Sequence, residues 1–351
     1  MTDDELLTRV WRLLDRDPAT AHLLKRNGRL LLGLPANREA AARALRLYQP
    51  QRRIACCIVA SLRWLIRFGL HRRALPQLRM TGGHEPVSPA LTEISAGTCG
   101  VLLGSPEHRV RRAIASYQKA GEWEVAKIAY GEAGAALLEQ EAKTLEELRC
   151  GITGVPRLLG LHHGEDVTVL RMPYLTGRPV EPNDSKAALD LLNSWITDQP
   201  PQPITDFTEW SAIKSALSGS EIGSRALARL SKESLRPVIC HGDFARWNLL
   251  QSKNGSLMVL DWEWGHSQGL PGIDLVHYFL QDSRLVKRMS PEESIKQTLV
   301  ALDSAACRSY LQKTGWSSDP ILPVLVSLAY KQGAGHQDNL DVLDAALEFT
   351  R

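Results

Sequence analysis

Hydrophobic residues recur at helical spacing in the first quarter of the chain. Apolar positions between Leu6 and Leu14 repeat every three or four residues, and Ala40 to Leu47 forms a second stretch of this kind. A basic amphipathic segment runs from Arg52 to Arg73. Prolines and glycines then crowd Leu75 to Pro89, which is typical of a linker. Residues 1–90 are therefore predicted to form a helical N-terminal extension.

The pattern changes to short apolar runs from about Ser95 onward. Four of these runs predict strands: Cys99 to Leu103, Ala113 to Tyr117, Trp123 to Ala129 and Val167 to Met172. Between the third and fourth runs, Gly134 to Arg149 places its leucines on one face and its charges elsewhere, which predicts an amphipathic helix. Residues 91–172 are therefore predicted to form a small α+β lobe that is rich in strands.

Helical patterns dominate after Pro179. Three stretches predict helices, namely Ser185 to Ile196, Trp210 to Leu217 and Ser224 to Leu230. Two apolar runs around Asn254-Gly255 predict a β-hairpin among these helices. Ser290-Pro291-Glu292-Glu293 carries the residues that begin a helix with a capping box. Residues 173–351 are therefore predicted to form a larger, mostly helical lobe.

Composition places the chain among ordinary globular proteins. Its 351 residues suffice for two or three domains or lobes, and 44% are hydrophobic and 23% charged. These values exclude a disordered chain, a collagen-like repeat and a disulfide scaffold. The formal net charge of +3 gives no general argument for binding nucleic acid, so we expect no nucleic-acid partner.

The six cysteines show neither a Cys-x-x-Cys pair nor the spacing of a zinc site. Reduced thiols fit a reducing compartment, and the acidic start of the chain is unlike a signal peptide. The longest apolar run, Ile54 to Leu62, is too short to span a bilayer. We therefore expect a cytoplasmic protein.

Positive charge is concentrated near the beginning of the chain. Residues 1–90 hold 16 Lys plus Arg and 7 Asp plus Glu, so they carry an excess of +9 and the remaining residues sum to −6. For the segment Arg52 to Arg73 we expect the apolar side to pack against the rest of the protein, because so many exposed apolar residues invite aggregation. Contact with an anionic membrane surface is the alternative.

The residues most suggestive of chemistry lie around the predicted hairpin. Val238 begins the stretch VICHGDFARWNLL, and Asp261-Trp262-Glu263 follows the second hairpin strand. A tight hairpin returns the chain, so Asn248 and Asp261 are expected to meet at one end of it. An amide oxygen and a carboxylate are hard ligands, suited to magnesium that arrives with a nucleotide. Asp243 has no evident partner cation in the sequence and is available to accept a proton.

The pattern His-Gly-Asp-x-x-x-x-Asn followed by Asp-Trp-Glu resembles the signature of the aminoglycoside phosphotransferase and choline kinase family, part of the protein-kinase-like superfamily. The resemblance implies a two-lobed α+β kinase-like fold over about residues 96–282, with the helical residues 1–90 as an addition. It also implies ATP and Mg²⁺ as cofactors. Asp243 then corresponds to the catalytic base, and Asn248 and Asp261 to the metal ligands. Arg246 departs from the family, which often has proline there.

The resemblance also extends to the predicted small lobe. Lys127, in Val-Ala-Lys-Ile, resembles the strand lysine that holds the α and β phosphates, and Glu141 best matches the helix glutamate that orients it, with Glu139 as the competitor. Ser105 follows the first predicted strand where a phosphate-covering loop is expected. Backbone groups of Met172, Tyr174 or Leu175 are expected to contact the adenine, because Pro173 has no N–H to donate.

These features predict an ATP-dependent kinase that phosphorylates a hydroxyl group of a small molecule, with a sugar or an aminoglycoside-like polyol as the favoured acceptor. The alternatives are a nucleotide-binding pseudokinase or scaffold, and a kinase of choline or another amino alcohol. A protein kinase is less favoured because no activation segment separates Asp261 from Asp274. A metal-dependent hydrolase is disfavoured because no further histidine or carboxylate cluster completes a site. The sequence does not reveal the oligomeric state.

Overall fold

The computed structural model describes residues 1–14, 20–26, 29–50, 53–79, 98–104, 110, 112–148, 151–181, 184–334 and 340–350. It divides into two compact units. The first unit consists of Met1–Arg149 and Pro156–Leu175, and the second of Cys150–Val155 and Thr176–Arg351. Strands dominate the first and helices the second, so the predicted two-lobed α+β class is confirmed.

The first unit is built on one antiparallel sheet. Its strands are β1 (Thr20–Arg26), β2 (Arg29–Leu34), β3 (Gln77–Arg79), β4 (Cys99–Leu103), β5 (Arg112–Lys119), β6 (Glu122–Tyr130), β7 (Gly160–His163) and β8 (Val167–Pro173), in the order β3-β1-β2-β4-β5-β6-β8-β7. Its helices are α1 (Asp3–Leu14), α2 (Arg38–Leu47), α3 (Arg53–Arg67), α4 (His71–Ala74) and α5 (Glu132–Glu147).

The prediction of a helical extension over residues 1–90 missed three strands. Strands β1, β2 and β3 lie in this region and continue the sheet, since β2 pairs with β4 through Leu32–Leu102 and Gly33–Val101. Their short apolar runs have no clear period, and such runs are ambiguous between strand and buried helix. The helices α1, α2 and α3 are present, so the helical part of the prediction was correct but incomplete.

Helices pack on both faces of this sheet, because its strands carry apolar side chains on both faces. In β4, Val101 belongs to a core that includes Leu7 and Trp11 of α1, whereas Leu102 packs against a second core that includes Leu45 of α2. Successive side chains of a strand point to opposite faces, so each face receives its own helices.

The second unit is mostly helical. Its helices are α6 (Ser185–Ser194), α7 (Trp210–Leu217), α8 (Glu221–Leu230), α9 (Ile273–Gln281), α10 (Pro291–Leu302), α11 (Ala305–Lys313), α12 (Ile321–Gly333) and α13 (Leu340–Glu348). Its short strands are β9 (Arg178–Pro179), β10 (Gln202–Pro203), β11 (Ser234–Leu235), β12 (Val238–Cys240), β13 (Leu249–Gln251), β14 (Leu257–Val259) and β15 (His266–Gly269). None of the helices in the described ranges is long and apolar enough to cross a membrane.

Two local predictions in this unit are confirmed. Strands β13 and β14 form the expected hairpin, and Gly255 in the turn has a φ of 89°, a left-handed conformation that glycine adopts without strain. Helix α10 begins with a complete capping box, in which the Ser290 hydroxyl accepts from the Glu293 N–H and the Glu293 carboxylate accepts from the Ser290 N–H.

Candidate active site

The loop that connects β12 to β13, residues 241–248, carries the predicted catalytic carboxylate and is called here the Asp243 loop. It leaves the fully buried strand β12 through Gly242, which has a φ of 77°. A Cβ atom at Gly242 would lie 2.4 Å from the carbonyl oxygen of Trp264. Only glycine therefore allows both this backbone conformation and this close approach.

Asp274, in the first turn of α9, holds the start of the Asp243 loop. Its carboxylate accepts hydrogen bonds from the backbone N–H groups of His241 at 2.6 Å and Gly242 at 2.9 Å. The side chain is buried, so these charge-assisted bonds lie in a region of low dielectric constant. The loop is thus fixed to α9 at its first two residues.

His241 connects the loop to the end of the hairpin. Its Nδ1 accepts a hydrogen bond from the N–H of Asp243 at 3.2 Å, so its Nε2 carries the proton and donates to the carbonyl of Leu260 at 2.8 Å. The ring also packs edge-on against Trp262. His241 is therefore occupied with supporting the backbone on both sides of the candidate site.

The carboxylate of Asp243 lies among three donors. Oδ1 is 2.9 Å from Nε2 of His277 on α9 and 3.4 Å from Nζ of Lys331 on α12, and Oδ2 accepts from the amide of Asn248 at 2.9 Å. Burial by itself would raise the pKa of Asp243. The hydrogen bond from His277 and the positive charge of Lys331 outweigh burial and hold the pKa well below its usual range.

His277 and Lys331 were not identified from the sequence. They lie 34 and 88 residues beyond Asp243, so no local motif links them to it. Burial lowers the pKa of His277, and the nearby ammonium group of Lys331 lowers it further. A neutral His277 can still donate from Nε2, which matches its contact with Asp243. The one available signal was Lys331, which lies in a strongly apolar helix. A lysine that is buried in such a helix is expected to have an acidic partner.

Asn248 and Asp261 are brought close by the backbone of the hairpin. The N–H of Leu260 donates to the carbonyl of Asn248 at 2.8 Å, so Asp261 directly follows the residue that pairs with Asn248. The side-chain amide nitrogen of Asn248 also donates to the carbonyl of Asp243, which leaves the amide oxygen as its ligand atom. Asp261 has a φ of 68°, a strained conformation for a residue other than glycine.

The amide oxygen of Asn248 and the carboxylate of Asp261 fit magnesium, which prefers oxygen ligands. Magnesium is typically bound by one or two carboxylates together with water and phosphate oxygens. Within the described ranges, no group of three or more His, Cys, Asp or Glu side chains is arranged to hold a metal ion. Asn248 and Asp261 would supply two oxygen ligands, and the nucleotide and water would supply the others. Their role as metal ligands remains a prediction.

Arg246 occupies the position where the sequence departs from the family. Its guanidinium pairs with the carboxylate of Asp282, with Nη2 at 2.9 Å and Nε at 3.2 Å from Oδ1, and Nη1 donates to the carbonyl of Val180 at 3.3 Å. The arginine therefore connects the Asp243 loop to the end of α9. Its charge is already paired, so it is not an isolated cation.

In the first unit, Lys127 of β6 meets Glu141 of α5. Nζ lies 2.7 Å from both carboxylate oxygens of Glu141, which is fully buried. The competing Glu139 is exposed, and its carboxylate lies 3.8 Å from Nδ1 of His163. The geometry therefore favours Glu141 over Glu139 as the partner of the lysine. The role of the pair in binding phosphate remains a prediction.

The predicted adenine-binding segment lies at the end of β8. Met172 is buried and pairs with Val125 of β6. The N–H of Tyr174 donates to the carbonyl of Trp123 at 2.9 Å, so it is not available to the adenine, and a contact from Tyr174 would have to use its carbonyl. Ser105 lies outside the described residues.

The α+β architecture, with strands in the first unit and helices in the second, is the one that the motif implies for a kinase-like small-molecule phosphotransferase. Residues 120–287 match the model of the phosphotransferase enzyme family, which confirms the resemblance inferred from the motif. The matched segment includes Lys127, Glu141 and the whole Asp243 loop, and it spans just under half of the chain. A search of the curated proteins found no match.

Three solved structures illustrate the likeness. A thermostable mutant of aminoglycoside phosphotransferase APH(4)-Ia with ADP and hygromycin B is 11% identical, covering 73% of this chain and 93% of that chain at a TM-score of 0.49. APH(3'')-Id from Streptomyces rimosus is 17% identical, covering 63% and 88% at 0.42. An aminoglycoside-3'-phosphotransferase of type VIII is 19% identical, covering 66% and 90% at 0.42. Similarities this distant carry no argument about the substrate of this chain.

Proposed function

We propose that this protein transfers the γ-phosphoryl group of ATP to a hydroxyl group of a small molecule, a sugar or an aminoglycoside-like polyol. The observation that carries the proposal is the position of Asp243 in the motif, together with the donors that surround its carboxylate. Asp243 occupies the base position of the family motif, within the matched segment. The surrounding donors lower its pKa, so that the carboxylate is ionised at neutral pH and ready to accept a hydrogen bond.

In this mechanism Asp243 orients the acceptor hydroxyl and takes its proton as the new phosphorus–oxygen bond forms. A strongly acidic carboxyl is a weak base towards an alcohol. Proton transfer therefore belongs late in the step, when the attacking oxygen has lost electron density to phosphorus and its proton has become acidic. The role of Asp243 in the early part of the step is positioning, since a hydroxyl held near 3 Å reacts faster than a mobile one.

His277 and Lys331 serve as positioning residues for this carboxylate. Both contact Oδ1, whereas Asn248 contacts Oδ2, so the two oxygens are fixed in different directions. Lys331 is buried together with His277. This arrangement limits the rotation of Asp243 and keeps it charged while it binds a hydroxyl group.

The remaining roles follow the family resemblance. The Asn248 amide oxygen and the Asp261 carboxylate would hold Mg²⁺, which neutralises phosphate charge when bound. Lys127, oriented by Glu141, would contact the α and β phosphates. Ser105 is proposed to cover the phosphates, and Met172 and the carbonyl of Tyr174 to contact the adenine. We also propose a cytoplasmic location, because the five cysteines in the described ranges are thiols and not disulfides.

An ATP-consumption screen tests the proposal. Purified protein with Mg-ATP is offered sugars, aminoglycosides, amino alcohols and nucleosides, and phosphorylated products are identified by ³¹P NMR. We expect a sugar or polyamino sugar to raise ADP release above the rate with water alone. Turnover of an amino alcohol only would support the choline kinase alternative. A chain that binds Mg-ATP but phosphorylates none of the classes would support the pseudokinase alternative.

A further inference from the structure

Positive charge is concentrated in one continuous segment of the first unit. Residues 40–84 contain nine arginines and no Asp, Glu or Lys. The whole +9 excess of residues 1–90 therefore lies in this segment, which includes α3 and α4. Acidic side chains normally alternate with basic ones on a solvated surface, so a purely basic stretch of this length points to an anionic counterpart.

Helix α3 is attached to the first unit by one narrow stripe. Val59, Leu62 and Ile66 follow one another at spacings of three and four residues and are buried in the core shared with α2. This stripe accounts for the attachment of the helix. Our expectation that the apolar side of this segment is buried therefore holds for these three residues and in part for Leu65, which packs partly buried against the same core.

A second apolar stripe on α3 faces solvent. Ile54 and Ile58 lie along it, Trp64 lies beside it and Phe68 directly follows the helix; all four are exposed, Ile54 at 78% and Trp64 at 57%. Nine large hydrophobic residues are exposed within the described ranges, and five of them fall between positions 54 and 70. Single exposed apolar residues are ordinary, whereas a cluster of this size marks a contact surface.

Arginines form the third stripe of the same helix. Arg63 and Arg67 are exposed one turn apart, and Arg72 and Arg73 are exposed on α4, which directly follows. The rings of Trp64 and Phe68 lie 4.9 Å apart, and the guanidinium carbon of Arg67 is 6.0 Å from the centre of the Phe68 ring. The exposed surface thus places the guanidinium group of Arg67 beside the aromatic ring of Phe68.

We propose that this surface of α3 binds an anionic membrane, with Ile54, Ile58, Trp64 and Phe68 entering the interface and the arginines contacting lipid head groups. Fourteen residue steps separate Ile54 from Phe68, so the apolar ridge is about 21 Å long. A straight ridge suits a planar interface, where tryptophan and phenylalanine partition readily. The uniform positive charge matches the continuous negative charge of anionic lipid better than the mixed charges of a protein partner.

Sedimentation with vesicles tests this proposal on the full chain. Vesicles of phosphatidylcholine are compared with vesicles containing roughly one-third phosphatidylglycerol, at low and high salt. We expect binding to the anionic vesicles at low salt and its loss at high salt. Trp64→Ser/Phe68→Ser should weaken binding on the order of tenfold by removing apolar contact, and Arg63→Gln/Arg67→Gln by a similar factor by removing charge.

A matched control is available in the second unit. Leu285→Ser/Val300→Ser removes two other exposed apolar side chains and should leave vesicle binding unchanged. All substituted side chains are exposed, so circular dichroism and thermal unfolding should match the wild type.

Three results would overturn the proposal. The first is absence of binding to anionic vesicles at low salt. The second is binding that survives Trp64→Ser/Phe68→Ser, because the attraction would then be electrostatic without insertion. The third is a self-associated species in light scattering that the same double variant dissociates while vesicles are not bound, since a second copy of the chain would then cover the helix.

Discussion

Replacing Glu141 with alanine tests the buried pair of the first unit. Glu141 is fully buried and accepts from Lys127 through both carboxylate oxygens, so its removal leaves a buried ammonium group without this partner. Breaking one side of such a pair costs about 3–5 kcal/mol. For a unit of this size, Tm changes by about 2–4 °C per kcal/mol, so we expect Glu141→Ala to lower Tm by roughly 10 °C.

Glu139→Ala is the matched control on the same helix. Its side chain is 53% exposed, and its only ion pair in the described structure is a 3.8 Å contact with His163. Exposed pairs of this kind contribute little, so the free energy of unfolding should change by no more than about 0.5 kcal/mol. Urea and thermal unfolding of both variants, followed by circular dichroism, provide the comparison.

A double variant separates stability from nucleotide binding. Lys127→Met/Glu141→Leu replaces both charges with apolar side chains of similar length and should be more stable than Glu141→Ala, because no buried charge is left alone. It should nevertheless bind Mg-ATP weakly in calorimetry, because the phosphate-binding lysine is absent. Equal losses of stability for Glu141→Ala and Glu139→Ala would refute the importance of the pair. Wild-type Mg-ATP affinity in the double variant would refute its phosphate-binding role.

Three further predictions concern the second unit. Asp261→Ala should weaken Mg-ATP binding in calorimetry more than Asn248→Ala does, because a carboxylate brings a full charge to the metal and an amide only a dipole; equal affinities would argue against the metal assignment. Lys331→Met should raise the pKa of Asp243, because the carboxylate loses a neighbouring positive charge, and an NMR pH titration of the Asp243 side-chain carboxyl carbon checks this; an unchanged or lower pKa would contradict the contact. Asp274→Asn should destabilise the protein by about 2–3 kcal/mol in urea unfolding, because two backbone N–H groups lose their charged acceptor, and an unchanged midpoint would show that the loop is held otherwise.

The sequence predicted those parts of the fold that depend on residues close together in the chain. The amphipathic helix α5, the hairpin at Asn254-Gly255 and the capping box at Ser290 each depend on residues within a few positions of one another. The hairpin in the first unit shows how the same signal is missed. Asn27-Gly28 stands between β1 and β2 in the sequence, but the leucine-rich runs on either side have no period that identifies them as strands.

The motif gave the spacing of Asp243, Asn248 and Asp261 because a tight hairpin leaves little freedom in where their backbones lie. It gave no information about Lys331, which reaches Asp243 through the packing of α12. The sequence pattern of α3 likewise did not distinguish its buried apolar stripe from its exposed one. Periodicity shows which apolar side chains share a helix face, but not whether another element covers that face. Contacts between distant parts of the chain therefore required the structure.

The rate of phosphoryl transfer by Asp243→Asn tests the central claim most directly. The variant and the wild type are compared in the same quench-flow experiment with Mg-ATP and the acceptor found in the screen, and Mg-ATP affinity is measured on the same preparations. Loss of a positioned base typically costs about 10² to 10⁴ in rate, so we expect a fall of that size with nucleotide affinity preserved. Transfer at the wild-type rate by Asp243→Asn would contradict the account.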